Sequence, residues 1–224
     1  MSFVVGIDGP AGSGKGTSTK KVARPLGLIS IDTGITYRCV ALEALNRKVD
    51  INDFNAIITI AKEIEIDIQK QDDKDIVFLN GSNVTDAIRS KEVTNIVSPI
   101  SGIKEVRSIM VELQRKLAEG KDIIAEGRDI CTVVFPDADV KIYLDADIDE
   151  RANRRFKENQ EKGIEMTYEE VLKNITDRDY NDTHKEVGSL MITDESIYID
   201  SSSLTIEEVA EKIIDIVNEK RNKK

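Results

Sequence analysis

The segment Gly9-Pro10-Ala11-Gly12-Ser13-Gly14-Lys15-Gly16-Thr17 constrains the fold of this chain more than any other. It follows a short apolar run, Phe3 to Ile7, and precedes a polar helical stretch from about Lys15 to Arg24, which Pro25 and Gly27 stop. A glycine-rich turn between a buried strand and a helix is the setting of a phosphate-binding loop. Glycines let the backbone wrap closely, so that N–H groups point inward at phosphate oxygens. The helix start adds positive potential, and Lys15 supplies a mobile cation for the β and γ phosphates. The strict pattern has Ser or Thr directly after the lysine. Gly16 stands there instead, followed by Thr17. Either Thr17 substitutes as the hydroxyl ligand of Mg²⁺, or the ion is held by phosphates and water, with no direct protein ligand.

The rest of the chain supports an α/β core. Leu28–Ile31, Asp122–Ala125, Val140–Leu144 and Ile197–Asp200 read as buried strands. Helical patterns cover about Tyr37–Asn46, Ile103–Glu119, Ile148–Lys162 and Tyr168–Tyr180, and Ser203 to Thr205 cap a last amphipathic helix that ends in the basic tail Lys220–Lys224. This alternation predicts a mainly parallel sheet with helices on both faces. Residues 50–95 differ. Glu63–Ile68 alternates strictly, Asp72-Asp73-Lys74 marks a turn, Ile76–Leu79 returns, and Asn80-Gly81 is a second tight turn. They predict a small antiparallel meander, about 63–80, in an inserted subdomain. One core with an insertion also suits 224 residues.

The net charge of −10 argues against a general nucleic-acid or membrane-surface binder, and makes any site for an anion a local exception where cations must cluster. No run approaches the ~18 apolar residues of a membrane helix. Met1–Val5 leads straight into the first strand without a signal peptide, so a cytoplasmic protein is expected. Cys39 and Cys131 are read as reduced thiols, and the lone His184 excludes a multi-His metal site. With 4% aromatics and no Trp, the core must be aliphatic.

Several arginines stand apart from helix-surface charge. Arg38 follows the second strand, and Arg128 and Asp129 end another. Ligands of parallel sheets bind at the carboxyl ends of strands, where guanidinium forks suit a second phosphate-bearing substrate. The alternative is an ion pair, such as Arg128 with Asp32. Arg151, Arg154 and Arg155 share one helix face, either as solvated charge or as a lid over a transferring phosphoryl group. Arg178, Asp179, Asp182 and Lys185 lie in a stretch too charged for core.

Segments 9–17, Asp32–Arg38, Gly127–Pro136 and Glu150–Arg155 together resemble bacterial cytidylate kinase in its long form, over about Val4 to Val217. The resemblance implies a three-layer P-loop kinase fold with a mainly parallel central sheet and a short helical lid at about 148–165. Residues 1–36 and 98–224 would form the core, and 37–97 an inserted nucleoside-monophosphate-binding subdomain with a small antiparallel sheet. It implies transfer of the γ-phosphoryl group of ATP to CMP or dCMP with Mg²⁺, by an enzyme expected to be a monomer acting on small nucleotides alone. Thr33, Arg38 and Arg128 would hold the CMP phosphate; Ser98, Arg107 and Asp129 would read cytosine; Arg178 and Asp182 would face the ribose. Lys185 would lie near the acceptor phosphate, and Arg151, Arg154 and Arg155 would cover ATP, which the loop Gly9–Thr17 holds. Lys15, Arg128, Arg151 and Arg155 would be catalytic.

Three positions depart from the pattern: Lys185 stands in place of arginine, Gly188-Ser189 in place of Ser-Pro, and Cys131 in place of glycine. A carboxylate such as Asp129 accepts from the cytosine N4 amino group, whereas uracil has an acceptor there. A phosphate acceptor is already anionic, so no general base is required, and alignment and cations would carry catalysis. The rival readings are a P-loop kinase for UMP or AMP and a nucleotide-dependent switch. A GTPase would need an Asn-Lys-x-Asp segment, which does not occur.

Overall fold

The computed structural model describes residues 2–71, 74–161 and 163–223. Strand β1 (Val4–Asp8) is buried on both faces, with Val5 and Ile7 inaccessible to solvent, and a strand of that kind needs a parallel neighbour on each side. It has them in β6 (Ile123–Gly127) and β7 (Val140–Asp145). With β2 (Ile29–Asp32) and β8 (Ile197–Asp200) they form a five-stranded parallel sheet in the order β2-β6-β1-β7-β8. Helices α1 (Lys15–Ala23) and α8 (Ile206–Asn222) cover one face, where Val22, Val209, Ile213 and Val217 join Val5, Ile7 and Ile142 in one aliphatic cluster. A capping box of Thr205 with Glu208 starts α8.

All the expected core strands are present, with bounds within two residues of those expected and Ile197–Asp200 unchanged, and the fold is α/β with a parallel sheet as expected. Helix α7 (Tyr168–Thr183) runs three residues beyond its expected end and packs through Val171 and Ile175 on Ala152 of α6 (Ile148–Glu161). Two terminal positions of expected helices, Lys162 and Lys224, lie outside the described residues. Among the described residues, no helix is long and apolar enough to cross a membrane.

The chain divides into two compact units, one of residues up to Asp32 and from Ala118 onward, the other Thr33–Leu117. The second contains α2 (Gly34–Asn46), α3 (Phe54–Glu63), a three-stranded antiparallel sheet of β3 (Ile66–Gln71), β4 (Lys74–Leu79) and β5 (Ser82–Asn83), then α4 (Lys91–Gly102) and most of α5 (Lys104–Ala118). An antiparallel meander is present, but over Ile66–Asn83 and not 63–80, with Ile66 opposite Leu79 and Gln71 opposite Lys74. Asn80 and Gly81 both take positive φ, 49° and 79°, as a two-residue hairpin turn requires. The turn expected at Asp72-Asp73 lies outside the described residues.

Two helices were not expected there. Glu63 closes α3 and Ile64-Glu65 follow it, so the strand begins only at Ile66. Asp53 caps α3 by accepting from Ala56 N at 3.0 Å, and Ser90 caps α4 by accepting from Val93 N at 3.3 Å. Ile57, Ile60 and Ala61 on α3, and Val93, Val97 and Ile100 on α4, have helical spacing and close on Tyr37, Val40 and Ala44 of α2 and Val106 and Met110 of α5. A π-helical turn, Ile130–Val134, follows β6 and was also not expected.

Candidate active site

β1 delivers the chain directly into the glycine-rich loop. A side chain at Gly9 (φ 155°) would begin 2.0 Å from the Leu144 carbonyl oxygen, so the loop passes β7 at a distance only glycine allows. Gly14 (φ 90°) forms the N-cap of α1 and supplies no side chain to its first amides. Lys15 is buried, and its Nζ donates to Pro10 O at 2.6 Å and Ser13 Oγ at 3.2 Å, inside the loop's own curve. Burial holds this ammonium well below the usual lysine value; Arg128 and Arg178 add to the effect, while Glu126 and Asp8 oppose it.

The end of β6 adds Glu126, Arg128 and Asp129. Arg128 pairs with Asp182 of α7 (Nε to Oδ2, 2.8 Å), not with Asp32. Lys185 takes the other oxygen of Asp182 at 2.7 Å, and Arg178 stands 3.9 Å away. Burial works to raise the Asp182 carboxyl, but Arg128, Lys185 and Arg178 together outweigh it and hold it below the usual carboxylate range. Three cations thus converge on one buried carboxylate close to Lys15, the local positive cluster that a chain of net charge −10 needs to receive an anion.

The arginines of α6 divide. Arg151 is buried and ties three elements together, donating to Ala146 O at 2.8 Å, to Ala11 O of the loop at 3.0 Å and to Asp179 of α7. Arg154 grips Ser201 (Nη2 to O, 2.6 Å; Nη1 to Oγ, 3.1 Å), whose hydroxyl also donates to Ser13 O at 3.2 Å. Arg155 pairs with Glu158 on its own helix. The structure therefore joins Arg151 and Arg154 to the phosphate loop and leaves Arg155 on the helix surface.

The second unit holds the remaining candidates. Thr33 begins α2 and is buried, its carbonyl accepting from Gln114 Nε2 at 3.3 Å. Arg38 donates to Ile88 O at 2.9 Å and Thr94 Oγ1 at 3.1 Å. Arg107 is buried over the Tyr37 ring and donates to Ser101 O at 2.9 Å. Ser101 Oγ in turn donates to Ser98 O at 2.9 Å, which places Ser98 and Arg107 in one continuous patch. The Ser98 hydroxyl is buried and has no hydrogen-bond partner among the described residues, an arrangement that suits a ligand.

The model of one family, described as cytidylate kinase, matches residues 5–219. The chain belongs to the cytidylate kinase family. It is 44% identical over 217 residues to a cytidylate kinase of Lactobacillus johnsonii, covering 97% of this chain and 94% of that protein. It is 46% identical over 220 residues to one of Streptococcus uberis, covering 95% of this chain and 97% of the other. Among solved structures, an uncharacterized protein from Eubacterium ventriosum ATCC 27560 aligns with a TM-score of 0.51 at 12% identity, covering 97% of this chain and 99% of that one, a likeness of fold alone. Membership of the cytidylate kinase family makes the chain an enzyme, a kinase that transfers a phosphoryl group from ATP.

Two of the departures from the cytidylate kinase pattern have clear surroundings. Lys185 keeps its charge buried against Asp182. Cys131 is also buried and lies over Gly6, where an added Cβ would come 2.8 Å from its sulfur. Sequence reasoning did not assign two acids at this site, Asp8 and Glu126, which lie at or next to the ends of buried strands beside the loop, where the alternation of strand and helix already pointed. It named Asp179 only as part of a charged stretch, because its partners, Arg151 and the Ala11 amide (3.4 Å), are distant in sequence.

Proposed function

We propose that the chain transfers the γ-phosphoryl group of ATP to CMP or dCMP, giving ADP and CDP or dCDP. The observation that carries this reading is the buried Lys15 in a glycine loop, next to Arg128, Arg178 and Lys185 gathered on Asp182. Lys15 and the loop amides are assigned to the ATP phosphates, with Arg154 beside Gly14 and Arg151 bracing the loop. Arg128 and Lys185 are assigned to the acceptor phosphate, and Arg178 and Asp182 to the ribose. On the second unit, Thr33 and Arg38 are assigned to the acceptor phosphate side, and Ser98 and Arg107, with Asp129 of the core, to cytosine. The buried, unpartnered Ser98 hydroxyl supports that last assignment.

Beside the loop stand the hard oxygens of the Glu126 and Asp32 carboxylates, and Thr17 carries a hydroxyl in the first turn of α1. Their chemistry suits a Mg²⁺ ion that keeps several waters. Bound there with ATP, the ion would neutralise developing phosphate charge. The acceptor oxygen is anionic, so the chain's own groups have to align and neutralise but not remove a proton. His184, exposed and stacked on Tyr180 at 4.1 Å, is given no role. We place the enzyme in the cytoplasm, where its two buried thiols stay reduced.

Coupled ADP release with ATP and each of CMP, dCMP, UMP and AMP tests the reading. Fast release confined to the cytidine nucleotides is expected. Equal rates with UMP or AMP, or slow release indifferent to any acceptor, would overturn it.

A further inference from the structure

Val171, Ile175, Asp179 and Asp182 follow one another along α7 at spacings of four, four and three, which puts them on one stripe of the helix. The first two pack on Ala152 of α6. The last two end the stripe in carboxylates, and each takes an arginine from another element. Asp182 takes Arg128, after β6, and Asp179 takes Arg151 of α6. Asp179 thus sits between Arg178 and Asp182, the two residues of α7 assigned to the acceptor ribose.

Asp179 also reaches the phosphate loop. Its Oδ1 accepts from Ala11 N at 3.4 Å, while Oδ2 accepts from Arg151 Nη1. The same Arg151 nitrogen donates to Ala11 O at 3.0 Å. One ion pair therefore holds both the amide and the carbonyl of Ala11. The Arg151 side chain is 8% exposed and that of Asp179 19%, so salt and water screen the pair weakly. Gly12 lets α6 approach this closely: at φ 80°, an added Cβ would stand 3.1 Å from both Cβ and O of Arg151. The loop's own curve does not depend on this clasp. Lys15 and Ser13 both donate to Pro10 O, and Ser201 donates to Ser13 O. What the clasp fixes is the place of the loop relative to α7. The charge of Asp179 is felt on the acceptor side as well: burial lowers the Arg128 guanidinium, but Asp182, then Glu126 and Asp179, raise it above its usual value.

We infer that Asp179 is a positioning residue for the transfer step: with Arg151 it locks Ala11 to α7, and so sets the donor loop in register with Arg178 and Asp182. This rests on the reading of the loop as the ATP site and of α7 as part of the acceptor side. Transfer between two bound nucleotides needs the reacting oxygen and phosphorus aligned, and a displacement of about 1 Å costs up to ~10²-fold in rate. Hydrolysis makes no such demand, because α7 does not hold the attacking water.

The test uses the full chain carrying Asp179→Ala, Asp179→Asn, Arg151→Met, and Asp179→Ala with Arg151→Met. For each, CDP formation from ATP and CMP with Mg²⁺, phosphate release from ATP without CMP, both KM values and a melting curve are measured. Asp179→Ala is expected to lower kcat for CDP formation roughly ten- to a hundredfold. Both KM values and phosphate release should stay within about threefold of the parent, so that the ratio of transfer to hydrolysis falls. Asp179→Asn keeps an acceptor for Ala11 N but loses the charge opposite Arg151. A smaller fall in the same ratio is expected, and this variant carries the test if Asp179→Ala does not fold. The double variant should transfer no worse than Arg151→Met alone, because both residues act through one clasp. Parallel losses of transfer and hydrolysis, a raised KM for ATP with kcat unchanged, or full additivity in the double variant would overturn the inference. So would a lower melting temperature with an unchanged ratio, which assigns Asp179 to stability alone. In each of these cases the parent still forms CDP and the functional reading stands. A parent that forms no CDP removes that reading, and the inference falls with it.

Discussion

The Glu126 carboxylate occupies the space beside Gly16: a Cβ at position 16 would stand 2.8 Å from Glu126 Oε1. A side chain at position 16 would have to displace the end of that flexible carboxylate, so glycine is the residue that leaves Glu126 where it stands. Gly16→Ala is expected to leave stability within about 1 kcal/mol of the parent, since the helix gains what displacing a flexible carboxylate costs. Activity should fall roughly tenfold as Glu126 is pushed from its place, a change of ~1.4 kcal/mol. Melting curves and the Mg²⁺ dependence of kcat measured together check this; a silent variant would show that Glu126 does not serve the loop.

Glu126 also sets a pH signature. Burial, and then the charge of Asp32, push its carboxyl up from 4.5 to about 7 against the pull of Lys15, Arg128 and Lys20. A carboxyl raised in the folded state favours folding when protonated. Its contribution is therefore complete below pH 4.5 and lost as the pH climbs through about 7. Glu126→Gln is expected to remove that decline, so that the variant gains on the parent by on the order of 1–3 kcal/mol between those limits. Urea unfolding at intervals of half a pH unit measures the difference.

Lys15→Ala should cut kcat by about 10²–10⁴ without unfolding the protein, because the loop loses its one oriented ammonium. Burial already holds that ammonium below its usual value, so removing it leaves no strongly stabilising charge behind. Near-parent turnover in a folded variant would remove the loop from the mechanism.

How legible this site was depended on whether its contacts are local in sequence. The phosphate loop, the strands that flank it and the β4–β5 turn at Asn80-Gly81 were visible, because each is specified within a few residues. Helices α3 and α4 were not: Glu63–Ile68 alternates like a strand, while the deciding contacts, Ile57 and Ile60 on Val40 and Ala44, belong to the folded cluster. The candidate arginines were visible as residues but their partners were not. Arg128 is held by Asp182, 54 positions away, and Asp8 caps a turn 122 positions away. Short-range pattern carries no information about pairs of that kind.

Cys131 and Gly6 form a packing pair, since the sulfur lies where a Gly6 side chain would be, and the thiol also bonds to Asp8. Burial, with Asp8 beside it, pushes this thiol far above the usual cysteine value. Cys131→Gly is expected to cost about 1–3 kcal/mol through the void and the freer backbone. Gly6→Ala should cost a similar ~1–3 kcal/mol by overpacking the same spot. Alkylation of Cys131 in the folded protein should be very slow at pH 8. Rapid labelling together with an unaltered melting curve would show that the sulfur is not part of the core.

Lys185 gives the last prediction. Its ammonium is buried on Asp182 Oδ1 while Arg128 holds Oδ2. Lys185→Ala should lower kcat more than it raises the KM for ATP, since the residue is assigned to the acceptor side. Lys185→Arg should hold or raise activity by restoring a planar donor. The stability effect carries its own sign. Asp182 is depressed in the folded state, so its contribution is present above about pH 3.8 and disappears as the pH falls through its lower, folded value. Removing Lys185 should therefore cost about 1–3 kcal/mol at pH 7, and the cost should shrink only once the pH has fallen far below 3.8, to the depressed folded value at which Asp182 loses its charge. A penalty that does not shrink even at that acid limit would mean that Lys185 stabilises by packing its stem. A kinetically silent Lys185→Ala would place the residue outside the site and undo the assignments made here for residues 178–185.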